Sequence, residues 1–371
     1  MSSSPGKGTV AAALIVRDEA QFLPGCLETL TNRVDEIVVV DTGSHDDSVD
    51  LAVAAGAKVL HHKWTGDFSE ARNIGLEAAR SDWILYIDAD ERLILPHDGK
   101  VSEYLDPSAI AAYVRFRPKV RFTRYRDPRI FRNDPRIRFR GKIHETVVPC
   151  LRKIEKEDGL PLVASSVGID HLGYEGDQSH KHARNLPLLR QSIAKDPERI
   201  YYWHHLAETL VALGETQEAL ETALEGLRIA ESLHQPLQQA DASMIRQLVA
   251  RLYLENGKDP LDLIEDGLRR VPDDYGLLFL KAHALLSASR PRQAMEVAQT
   301  LRSVDPDSLY DGMLAFDSGI FREHACELAA LGCLASGDRK AAARYYAEAA
   351  SFAPDDMSLR LKAAALQGQE H

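Results

Sequence analysis

Four short apolar runs in the first ninety residues, each separated from the next by a stretch of helical spacing, restrict this chain to a parallel sheet with helices packed on it. The runs are Thr9–Val16, Glu36–Val40, Lys58–His61 and Trp83–Ile87, and Glu19–Leu30, Ser44–Ala55 and Phe68–Ala79 carry the helical patterns between them. A strand that is apolar along its whole length is buried on both faces, and helices supply the cover. In such sheets ligands sit at the carboxyl ends of strands. Asp41 and Asp88 fall there.

From Ala111 to about Tyr174 the pattern changes. Tyr113, Arg115, Arg117, Lys119 and Arg121 alternate with Val114, Phe116, Val120 and Phe122, which predicts a strand with one basic face. Further short strands are predicted around Arg129–Phe131, Ile137–Phe139 and Val167–His171, extending the sheet in mixed fashion on the acceptor side. The basic face is either solvated or a seat for an anionic acceptor or a lipid phosphate.

After Tyr174 the strand signals stop and Ala- and Leu-rich helices follow in pairs. Their turns are Leu213-Gly214-Glu215, Asn256-Gly257-Lys258, Ser287-Ala288-Ser289 and Ser336-Gly337-Asp338, and Pro272, Pro306 and Pro354 close three pairs. Helix pairs of roughly 34 residues ending in Pro mark tetratricopeptide-like repeats, whose concave surface suits a peptide or partner. An ordinary helical bundle is the alternative. The predicted domains are 1–178 and 179–371.

At 371 residues the chain is long enough for both. A net charge of −11 argues against general nucleic-acid binding, although twelve Lys/Arg crowd between Arg115 and Lys142 against two acids, Asp127 and Asp134. Cys26, Cys150, Cys326 and Cys333 form no C-x-x-C pair, so a reducing, cytoplasmic setting is predicted. The early apolar run, Val10–Val16, is too short to span a membrane. His61-His62 and His180-x-His182 lack a full zinc-ligand set.

The strongest chemical signal is Asp88-Ala89-Asp90-Glu91, three acids directly after a buried apolar strand. Such clustering is costly unless a cation holds it together, and a divalent metal on a diphosphate is the usual answer; a solvated acidic turn is the alternative. The triplet has company in Val38-Val39-Val40-Asp41-Thr42-Gly43-Ser44 and in Asp67-Phe68-Ser69-Glu70-Ala71-Arg72-Asn73.

With the strand-Arg17-Asp18-Glu19 start, these motifs resemble the family 2 glycosyltransferases of GT-A fold, through about the first 175 residues. Arg129-Ile130-Phe131-Arg132, Gly141-Lys142-Ile143-His144-Glu145 and Ile169-Asp170-His171-Leu172-Gly173-Tyr174 further resemble a branch with tetratricopeptide repeats that includes a peptide S-glycosyltransferase. The resemblance implies an α/β GT-A domain with a Rossmann-like mixed sheet, followed by an all-α repeat domain. It implies that Asp41 contacts the nucleotide base, and that Arg72 bridges the diphosphate and the acidic motif. Asp90, helped by Asp88, would hold Mn²⁺ or Mg²⁺, with His171 as second protein ligand. Asp18 stands where that branch usually has Asn, which predicts a small change in nucleotide contacts.

Transfer also needs a base on the acceptor side. Glu145 is the candidate, with His144 next; an ion pair between Glu145 and a nearby arginine is the alternative. The implied reaction is inverting transfer of a hexose from a nucleotide sugar, UDP being the commonest donor, to a peptide or protein. A saccharide, lipid-linked glycan or natural product is the competing acceptor, and a homodimer is possible for the repeat half. An inactive nucleotide-sugar-binding scaffold is the reading from another class. A sugar nucleotidyltransferase would want a Gly-rich basic loop after the first strand, and Arg17-Asp18-Glu19-Ala20 is not one.

Overall fold

In the computed structural model, which describes residues 8–172, 179–233 and 238–367, the chain divides into two units. One comprises Met1–Asp177 with Tyr310–Ala315, the other Gln178–Leu309 with Phe316–His371. Gly173, Tyr174 and the predicted boundary at residue 178 lie outside the described residues.

The apolar runs become strands β1 (Val10–Val16), β2 (Glu36–Asp41), β3 (Lys58–His61) and β4 (Trp83–Tyr86). Strands β5 (Glu91–Ile94), β6 (Ala111–Arg117), β7 (Tyr125–Arg132) and β8 (Leu162–His171) complete an eight-stranded sheet of order β3-β2-β1-β4-β7-β6-β8-β5. The first four strands are mutually parallel, and β7 joins β4 antiparallel, so the sheet is mixed. Its two faces carry separate cores: Leu14, Leu27 and Val16 lie on one side, and Ala13, Ile84, Leu76 and Leu151 on the other. Helices α1 (Leu23–Leu30), α2 (Ser48–Ala54), α3 (Phe68–Ala78) and α4 (Val148–Asp158) belong to the same unit. Burial on both faces is the physical reason the runs are apolar throughout.

Two local expectations are corrected. The basic strand ends at Arg117, because Pro118 has no N–H to continue a ladder; Lys119 and Arg121 therefore leave the strand face. No strand forms over 137–139, although Ile137 and Phe139 are buried, because the Asn73 side chain takes both backbone groups of Phe139, at 2.8 and 3.0 Å. Around Pro128 the β6–β7 register slips by one, Ala112 facing Ile130 while Val114 faces Asp127. A proline without a donor tolerates such a bulge.

The second unit is helical: α5 (Ser179–Lys195), α6 (Ile200–Ala212), α7 (Thr216–Leu233), α8 (Gln239–Glu255), α9 (Leu261–Arg270), α10 (Tyr275–Ser287), α11 (Pro291–Arg302), α12 (Glu323–Ala335), α13 (Arg339–Phe352) and α14 (Met357–Gln367). All four expected turns join helices. Three place glycine in the left-handed region (Gly214, Gly257 and Gly337, φ +83°, +68° and +83°), whereas the fourth puts Ser289 there, at +57°. Among the described residues no helix is long and apolar enough to cross a membrane. All four cysteines are buried and unpaired.

Candidate active site

The site is built at the carboxyl ends of β2 and β4. Where β2 ends, Asp41 is 5% exposed and its carboxylate accepts from the backbone N–H of Gly43 (3.2 Å) and of Ser44 (3.0 Å). Burial works to raise this carboxyl, but the hydrogen bonds from Ser44, His61 and Gly43 win and hold it below the ordinary range. Asp18 sits at φ +55° and accepts from His45 N–H at 2.7 Å, so it pins the loop beside Asp41. A cleft of about 680 Å³ opens here between Arg17, Asp41, His61 and Trp64. A second depression of about 510 Å³, lined by Arg80, Asp82 and Arg132, lies at the opposite end of β4, away from every candidate residue.

The motif that opens α3 explains itself residue by residue. Asp67 caps the helix, accepting from Ser69 N–H (2.9 Å) and Glu70 N–H (3.2 Å). Ala71 is fully buried, and Asn73 pins the segment at Phe139. Arg72, 8% exposed, donates from Nη2 to Asp88 (2.9 Å) and from Nε to Glu145 Oε1. Its guanidinium also lies 5.3 Å from the centre of the Tyr86 ring. Glu145 reaches it from the 140–146 loop, which is closed by paired hydrogen bonds between Arg140 and Thr146 and carries His144 at φ +53°. The arginine partner weighed for Glu145 in the sequence is thus Arg72, from another segment.

At the end of β4, Asp88 faces Arg72 while its N–H donates to Glu91 Oε2 at 2.9 Å. Burial pushes the Asp88 carboxyl up, yet Arg72 and Arg129 hold it below the usual range. Glu91 is 2% exposed and is gripped by Arg129, Nη2 to Oε1 at 3.0 Å and Nη1 to Oε2 at 3.2 Å. Arg129 is sandwiched between the rings of Tyr86 (4.6 Å) and Phe116 (4.4 Å), and its Nε donates to Asp127 at 2.6 Å. Glu91 and Arg129 stand inside recognised motifs, but their roles went unread, because their pairing crosses the sheet.

Asp90 and His171 meet at 3.0 Å, Oδ2 to Nε2. The other ring nitrogen, Nδ1, lies 2.7 Å from the Pro118 carbonyl, an acceptor, so Nδ1–H donates there and Nε2–H donates to the Asp90 carboxylate. The hydrogen bond to Asp90 holds the His171 imidazole up at about 9. No group of three metal-ligating side chains occurs among the described residues. The fold therefore brings Asp88, Arg72 and Glu145 into one chain of contacts and Asp90 with His171 into a second, while Asp41 and Asp18 stand at the β2 end.

Residues 12–153 match the model of glycosyl transferase family 2. The chain is 36% identical over 228 residues to a TPR repeat-containing protein of Synechococcus elongatus, covering 59% of this chain and 56% of that one. It is 26% identical over 226 residues to the SPbeta prophage-derived glycosyltransferase SunS of Bacillus subtilis, covering 57% and 52%. The chain thus spans about half the length of these curated relatives. Among solved structures, a tetratricopeptide repeat protein of Parabacteroides merdae aligns at TM-score 0.40 and 17% identity, over 51% of this chain and 67% of that one.

Proposed function

From the premise that residues 12–153 form a family 2 glycosyltransferase domain, we propose that this chain transfers a hexose from a nucleotide-diphosphate sugar, a UDP-hexose, to a peptide or protein acceptor, inverting the anomeric carbon. The observation that carries the reading is the Asp90–His171 pair beside the Arg72–Asp88 pair, just past the end of β4. With Nδ1–H held by the Pro118 carbonyl, Nε2 is the nitrogen that a divalent cation would take on displacing the proton it shares with Asp90, and both side chains are about 30% exposed. Asp90 and His171 would hold Mn²⁺ or Mg²⁺, with Asp88 at hand and donor phosphates filling the remaining positions. When bound, the ion neutralises charge on the departing diphosphate.

The chain's own residues supply the rest. Asp41 receives the nucleotide base at the mouth of the Arg17–Trp64 cleft, where Asp18 fixes the loop. Arg72 orients Asp88 and Glu145 together, and its remaining N–H donors face the donor phosphates. Glu145, held through Oε1, offers Oε2 to the acceptor proton, and His144 is the neighbouring alternative. The helical unit, which contains none of these residues, recognises the acceptor.

Calorimetry of UDP binding with and without Mn²⁺ tests the metal and nucleotide assignments. Asp90→Ala is expected to abolish transfer and to weaken UDP binding by about tenfold or more in Mn²⁺, the scale of a lost charged contact. Equal affinity of the variant and the wild type removes the metal site.

A further inference from the structure

The basic face of β6 does not use its cations up. From Arg115 to Arg126 the sequence holds six Lys/Arg and no acid. Arg126 is satisfied by the Ser165 carbonyl and Asp311. Arg124 takes both oxygens of Asp170, at 2.8 and 3.1 Å from Nη2. That leaves Arg117 with Asp170 only at 3.6 Å, beyond hydrogen-bond range. Arg115 stacks 4.0 Å over the Tyr310 ring, a residue of the same unit. The Nε atoms of Arg115 and Arg117 are both buried and hydrogen-bonded to no described residue. Opposite Arg115 on β8 stands Gly168, which contributes no side chain to the row.

Buried donors left unmade are costly, and two guanidiniums two positions apart on one strand face form a fork for an oxyanion. The place is specific. Pro118, next to Arg117, gives its carbonyl to His171, so β6 ends beside the Asp90–His171 pair; Phe116 stacks on the His171 ring, and the two arginines, alternating with it, lie with Asp170 on the opposite face of the sheet. We propose that Arg115 and Arg117 bind a phosphate or carboxylate carried by the acceptor. This assignment rests on the transferase reading and adds the chemical class of acceptor: one that carries an anionic group apart from its reacting hydroxyl or thiol, held across the strand end from the donor site. The local positive field, on a chain of net charge −11, draws such an acceptor to the donor site.

The test uses the full chain saturated with UDP and Mg²⁺, titrated with inorganic phosphate and followed by calorimetry. Wild type is expected to bind phosphate saturably, and Arg115→Gln/Arg117→Gln to bind it at least tenfold more weakly. Asp170→Asn is expected to bind it more tightly, because the competing carboxylate is gone; a face that is merely structural predicts no gain. If the double variant does not fold, Arg117→Lys keeps the charge, loses the fork, and should still weaken binding. Phosphate affinity that is absent in wild type, or equal in wild type and the arginine variants, overturns the proposal. UDP that fails to bind wild type overturns the transferase reading instead, and the same titration without nucleotide then decides the anion site alone. Acetate and phosphatidic acid vesicles run in parallel show whether a carboxylate, a free phosphate or a lipid headgroup is what the double variant ceases to bind.

Discussion

Replacing Arg129 by Met leaves Glu91 buried without its cation. The two side chains are 10% and 3% exposed and share two hydrogen bonds, so the pair belongs to the class whose rupture costs about 3–5 kcal/mol. Methionine keeps contact with Tyr86 and Phe116, which leaves the lost charge rather than lost packing as the main term. Replacing Glu91 by Met as well removes the more buried of the two stranded carboxylates, the half-buried Asp127 being the other, and should restore roughly half of the loss, because a buried pair is worth little more than an apolar substitute. Activity is expected not to follow stability. In the double variant the Asp88 N–H loses its Glu91 acceptor, so the acid turn is misplaced and transfer is low although stability recovers. Amide hydrogen exchange in β4 and β7 reads this unit by itself, since Leu85 and Ile130 are direct ladder partners. Protection that falls by less than about 1 kcal/mol in the single variant, against the 3–5 expected of a ruptured buried pair, or a double variant no better than the single, refutes the reasoning.

Glu145→Gln should slow transfer by roughly 10²-fold and also lower the melting temperature, because Arg72 keeps only one of its two carboxylates; a near wild-type rate moves the base elsewhere. Burial raises the Asp241 carboxyl to about 6, with Arg199 pulling against it, so folding takes up a proton between the ordinary value of 3.8 and about 6. Stability is then lost as pH rises through that window, by at most about 3 kcal/mol, and Asp241→Asn should flatten the urea midpoint between pH 4 and 7. Ser289→Gly should stabilise the helical unit by about 0.5–1 kcal/mol, and Gly214→Ala should destabilise it by a similar amount, both read from urea melts. Opposite signs are the point, since both positions take the same left-handed turn.

How much of this was legible varied with the range of the interactions involved. Strands β1, β2 and β4 announce themselves because burial on both faces leaves no room for polar residues, and the repeat turns because a left-handed residue favours glycine. Strand β5 was not visible: Glu91-Arg92-Leu93-Ile94 is four residues long, lies at the sheet edge, and two of its side chains are charged. Helix α4 hid in a stretch read for strands, its start marked by Pro149 and its end by Gly159 at φ +70°. At the site, the residue types were readable from their motifs, but their partners were not. Nothing local to Arg72 says that it will divide itself between Asp88 and Glu145, and nothing local to Glu91 names Arg129.

The strand order has a kinetic corollary. Strands β4 and β5 are neighbours in sequence, joined by the acid turn, yet β7, β6 and β8 are inserted between them in the sheet. The contacts that complete the site accordingly close long loops, 73 residues between Arg72 and Glu145 and 81 between Asp90 and His171. Loops of that length form late, because their closure entropy is met only after the intervening chain has organised. A nascent or refolding chain would therefore hold a parallel β1–β4 core well before it held an acid turn with its histidine. Recovery of nucleotide affinity during refolding should lag recovery of strand structure, and the lag times the capture of β8.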